Sequence, residues 1–121
     1  MSTQKRSVVL SPEVVDGLLA RLDEGDTSRE VLKPLVKHYL GVLVAREPGQ
    51  SVEVRVPPYA AVQCIQGSTH TRGTPPAVVE TDAQTWIALA RGTLAWADAD
   101  VRASGQRSDL SGFLPLEDPS A

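Results

Sequence analysis

The 121-residue chain is 41% hydrophobic and 22% charged, and its formal charge is -3. That composition fits an ordinary soluble globular protein long enough to build its own core. The acidic balance and 4% aromatic content argue against a nucleic-acid binder, and a single cysteine excludes an intramolecular disulfide framework or a multi-cysteine zinc site.

The run Val8-Val9-Leu10 is too short for a signal-peptide core. No stretch reaches the roughly 20 apolar residues that span a bilayer. A cytosolic protein with a reduced Cys64 is expected. Ser11-Pro12 starts a helix, with Ser11 as cap and Pro12 at the first helical position. Val14, Val15, Leu18, Leu19 and Leu22 then recur at helical spacing, and Gly25 terminates the run. Thr27-Ser28-Arg29-Glu30 has capping-box spacing, and an apolar face continues through Leu32, Leu35, Val36, Tyr39, Leu40 and Leu43. Pro34 interrupts that face, which predicts a kink or a helix start near Pro34.

The period then changes to two. Ser51–Val56 alternates, sending three valines to a core and Glu53 and Arg55 to water. Pro57-Pro58 ends the strand, and the short connection to Ala61–Gln66 predicts an antiparallel neighbour. Gly67 to Pro76 reads as a polar loop and Ala77–Glu80 as a third strand. The next helix is capped either by Thr81 with Gln84 as a box or by Asp82 alone. It buries Trp86, Leu89 and Ala90 and stops at Gly92. A short helical turn in Leu94–Ala99, a strand at Val101–Ser104 and a last turn carrying Leu110, Phe113 and Leu114 complete the chain. The organisation is an α+β domain over residues 11–116, preceded by residues 1–10 and followed by a short tail at 117–121.

The most polar cluster is Ser68-Thr69-His70-Thr71-Arg72-Gly73-Thr74. His70 and Arg72 suit an acidic headgroup at the mouth of a site, and the same residues also suit a solvated turn. Cys64 and His70 are the conceivable nucleophile–base pair, but Cys64 lies mid-strand among apolar neighbours, where thiols are usually inert. Two histidines and one cysteine fall short of a metal site. Asp82 and Asp109 lie beside helix starts and read as caps. The arginines are dispersed, and the glycines form no phosphate-binding fingerprint. No cofactor is indicated, and catalysis through His70, Cys64 or Arg72 ranks last.

Asp82, Trp86 and Leu89-Ala90-Arg91-Gly92-Thr93-Leu94, followed by Val101–Gly105 and Ser108–Ser111, resemble the closing half of sterol carrier protein domains. Val52–Pro58 and His70–Pro76 are similar to the small bacterial branch of that family seen in actinobacteria. The resemblance spans roughly residues 28–116. It implies a curved, mostly antiparallel sheet of four to five strands, covered on one side by helices. It also implies an internal apolar cavity that accepts lipids. Trp86, Leu89, Leu94, Trp96, Val101, Leu110, Phe113 and Leu114 are the candidates for its wall; alternatively they pack together as an ordinary filled core. The first arrangement is a non-catalytic carrier of a lipid or other apolar small molecule. The second leaves a protein-interaction or regulatory module on the same fold. Neither involves nucleic acid or a membrane-integral segment, and oligomeric state is open.

Overall fold

The computed structural model describes residues 9–67, 76–105 and 109–116. Its first helix, α1 (Pro12–Asp23), begins where Ser11 accepts the Val14 N–H, with proline at the first helical position. Gly25, at φ +101°, turns the chain after the helix end, a conformation that costs glycine little.

Helix α2 (Arg29–Arg46) does not start at the proline. It runs through Pro34 without interruption from its cap at Ser28. Pro34 removes the donor that the Glu30 carbonyl would have used. Burial of Val31, Leu32, Leu35, Val36, Tyr39, Leu40 and Leu43 on the same helix outweighs that loss. The expected capping box at Thr27 is also replaced. Asp26 accepts the Ser28 N–H at 3.0 Å and holds the Arg21 guanidinium at 2.8 Å, which ties the helix entrance to the end of α1.

Strands β1 (Val52–Val56) and β2 (Ala60–Cys64) form the antiparallel hairpin expected from the Pro57-Pro58 connection. Val52, Val54 and Val56 are fully buried, and Arg55 is exposed beside a half-buried Glu53. Each such valine contributes about 1.5–3 kcal/mol of burial. Strand β3 (Ala77–Glu80) then pairs with β1 in parallel, and β4 (Arg102–Ser104) pairs antiparallel with β3. The sheet order is β2-β1-β3-β4. Two of the three pairings are antiparallel, so the sheet is mixed, within an α+β fold.

The second strand stops at Cys64 rather than at Gln66, because Ile65 takes a left-handed conformation, φ +66°. That is unusual for a β-branched residue and is held from three sides. The Ile65 N–H donates to the Glu47 carbonyl at 2.6 Å, and the Ile65 carbonyl accepts from the Ser51 backbone N–H at 2.9 Å and from the Ser51 hydroxyl.

Helix α3 (Ala83–Arg91) is capped by Asp82, whose carboxylate accepts the Thr85 N–H at 2.8 Å and its hydroxyl at 3.0 Å. Thr81 is therefore free of capping duty, and its hydroxyl donates to the Asp100 carbonyl at 2.9 Å instead. Gly92 closes the helix at φ +88°. The buried faces of α2 and α3 and the valine face of the sheet form one core. No helix among the described residues is long and apolar enough to cross a membrane.

Candidate functional site

The layer between α3 and the sheet is the place to look for a site, since the sequence puts its apolar wall there. Of the eight residues expected to line it, Trp86 on α3 and Leu110 on the closing segment are buried in the main core, and Leu89 on α3 is buried outside that cluster. The other five, Leu94, Trp96, Val101, Phe113 and Leu114, are half-buried. They come from the least regular part of the chain. This comprises a three-residue 3-10 turn at Trp96–Asp98, the residue before β4 and a second 3-10 turn at Ser111–Phe113. The outermost described residue, Leu116, is buried and its N–H donates to the Ala90 carbonyl at 2.9 Å, which fastens this cover to α3. Asp109 begins the last turn by accepting the Ser111 N–H, and the Ser111 bonds hold its carboxyl below the usual range. The cap position of that turn is Leu110, however, so Asp109 stands one residue ahead of it and does not act as the expected cap.

The chemistry inside this layer is sparse. Trp86 is 1% exposed, and its indole Nε1 has no hydrogen-bond partner. His38, expected at a surface or in helix packing, is buried on α2. Its Nδ1 accepts the Leu10 N–H at 2.9 Å, pinning the segment ahead of α1. Cys64 is fully buried; desolvation, reinforced by the negative charge of Glu47, pushes its thiol up to about 11. At neutral pH it is protonated and a poor nucleophile. A thiol-specific reagent is accordingly expected to label Cys64 only at the rate of unfolding, with labelling rising in step with urea denaturation. Rapid labelling of the native protein would contradict this placement. His70 and Arg72 lie outside the described residues. Among the described residues, no group of three His, Cys, Asp or Glu side chains is placed to hold a metal.

Among the described residues two grooves open on the surface, and none of the eight residues expected to line the wall borders either. One, of about 240 Å³, lies among Pro57, Glu80, Thr81, Asp82, Asp100 and Arg102. The other, of about 320 Å³, runs between Leu22 and Asp23 of α1 and Gln84, Ile87 and Arg91 of α3. Across it Arg91 grips Asp23 with two bonds, at 2.9 and 3.2 Å. The Arg91 bond holds the Asp23 carboxyl below its ordinary value, and the Ser28 and Arg21 bonds do the same for Asp26. A carboxyl depressed in the folded state stabilises above its unfolded value and loses that contribution as pH falls through the folded one. Acidification is thus expected to release α1 from α3 before the core unfolds. In NMR spectra, Asp23→Asn at neutral pH should reproduce the α1 shifts seen on acidification, with little change in urea stability, because the pair is exposed.

The comparison with known families now bears on this geometry. The family described as bacterial SCP ortholog matches residues 28–116, a span that takes in α2, the whole sheet, α3 and the closing turns. The chain belongs to this bacterial sterol-carrier-protein family. Helix α1 precedes the matched span, so its ion pair to Arg91 joins a helix outside that span to one within it. No curated protein matches the chain significantly. Family membership brings a lipid-binding or carrier role at the level of the family.

Proposed function

We propose that this sterol-carrier-like protein binds a lipid or another apolar small molecule between α3 and the sheet and carries it without chemical change. The observation that supports this best is the contrast between the two parts of the apolar layer. Its fully buried residues sit on α3 and at Leu110, beside the second 3-10 turn. Its cover, carrying Trp96, Val101, Phe113 and Leu114, is made of three-residue elements and leaves those side chains half-buried. Segments with so little regular hydrogen bonding open locally at lower free energy than core elements. A guest entering under the cover would replace contacts among these residues with its own chain, at roughly 25 cal/mol per Å² of apolar surface before ordering costs. The buried, protonated Cys64 supports the non-catalytic part of the reading.

The test is native mass spectrometry of the purified protein, together with solvent extraction and displacement of a fluorescent lipid. Trp96→Phe leaves Trp86 as the lone tryptophan and makes its fluorescence a direct report on the layer. Saturable binding that alters Trp86 emission is expected. Absence of bound lipid and of saturable binding across neutral and acidic lipid classes would overturn the proposal. A second reading, a protein-interaction module, draws on Val9 and Val14 near the start of α1, which are 55% and 47% exposed. It expects a defined complex that Val14→Ser abolishes, and no lipid binding by the wild type.

A further inference from the structure

We infer that the indole N–H of Trp86 is the polar anchor of the guest, and that the guest's matching group is an uncharged oxygen acceptor such as a hydroxyl, ester or ketone. This rests on the lipid-binding reading above and names the ligand class that reading leaves open. Indole Nε1–H is a donor with no acceptor function, and a buried donor left unmade costs about 1–3 kcal/mol. Trp86 carries that penalty inside a closed core. A phenylalanine there would supply an aromatic ring without it. Of the other polar side chains buried among the described residues, His38 accepts from Leu10 and Thr81 donates to Asp100, while Ser28 Oγ at the entrance of α2 also lacks a partner. Of the two, only the Trp86 donor lies on the helix beside the proposed site, where a guest's acceptor would complete its bond.

The charge of the partner follows from what surrounds it. Among the described residues no lysine or arginine is buried. An ionised carboxylate or phosphate brought to Trp86 would lose its hydration with no buried cation among the described residues to replace it, a far larger penalty than the indole bond returns. A neutral oxygen pays much less for the same position. The guest is therefore a lipid whose inner end is a neutral acceptor, rather than an ionised fatty acid inserted headgroup first.

The experiment compares a long-chain fatty alcohol, the ionised fatty acid and the alkane of equal chain length, each delivered from cyclodextrin to the full chain by equilibrium dialysis. Wild-type protein is expected to bind the alcohol about fivefold more tightly than the alkane, and Trp86→Phe to lose that margin and bind the two alike. In ¹⁵N-labelled wild type, the Trp86 indole proton should shift downfield with the alcohol and not with the alkane, a readout needing no variant. Trp86→Phe also removes ring volume from the packed core, so some loss of stability in urea is expected and the indole resonance of the wild type carries the test. An indole proton already shifted downfield in the ligand-free protein would mean that the N–H has a protein partner, and would overturn the inference. Equal binding of the alcohol by both proteins, a still indole resonance, or preference for the ionised acid would also overturn it while leaving lipid binding standing. If wild type binds none of the three, the carrier reading falls and the anchor with it.

Discussion

Gly49→Ala is expected to destabilise the protein by about 3 kcal/mol or more, or to prevent folding. A Cβ at that position would lie 2.3 Å from both the carbonyl carbon and the carbonyl oxygen of Ile65, and Gly49 sits at φ +149°. Neither neighbour is a flexible side-chain end that could swing away. Both belong to the strained Ile65 backbone, which is pinned by Glu47 and Ser51. The clash can be relieved only by breaking the corner that joins the end of α2, the start of β1 and the exit of β2. Gly17→Ala is the natural control, since that glycine is exposed in the interior of α1 with nothing within 4 Å. There, added helix propensity should stabilise by about 0.5–1 kcal/mol. Urea denaturation of the two variants should move in opposite directions, and similar behaviour would refute the account of the corner.

Leu35→Ala is expected to cost about 2–5 kcal/mol by equilibrium denaturation, with the spread set by how far the site collapses around the missing atoms. Leu35 is fully buried on α2, one residue after Pro34. The same change at half-buried Leu114 should cost distinctly less, because solvent already reaches it. A Leu35 variant as stable as wild type would mean that the long helix is not anchored by this face. The α2 helix would then have no compensation for the proline within it.

Much of this architecture was readable from local chemistry. Ser11-Pro12, Asp82 and Gly92 mark helix ends because caps and left-handed turns need those residues within a few positions. The Val52, Val54, Val56 alternation marks a half-buried strand because the side-chain period of a strand is two. Where the reading failed, a distant partner decided the outcome. Helix α2 passes through Pro34 because its apolar face is buried against other elements, which no window around the proline reveals. Ile65 ends its strand early because Gly49 and Ser51 meet it from across the fold. Thr81 looked like a cap, but its hydroxyl is spent on Asp100, which arrives only when the chain returns. For the site, the apolar residues could be named, but their sorting into a buried floor and a half-buried cover depended on the short elements that carry them. The unspent indole donor at Trp86 could not be foreseen, since a missing partner is a property of the packed state.

The parallel pairing of β1 with β3 carries a consequence for how the chain reaches its native state. The β1–β2 hairpin closes across Pro57, Pro58 and Tyr59, whereas Val52 meets Ala77 only after the intervening chain has doubled back. Closing the larger loop forfeits more chain entropy before any contact repays it. The hairpin and α2 are thus expected to organise early, and the middle of the sheet to lock late. Substitutions at Val54 should slow refolding, while those at Val79 should mainly speed unfolding.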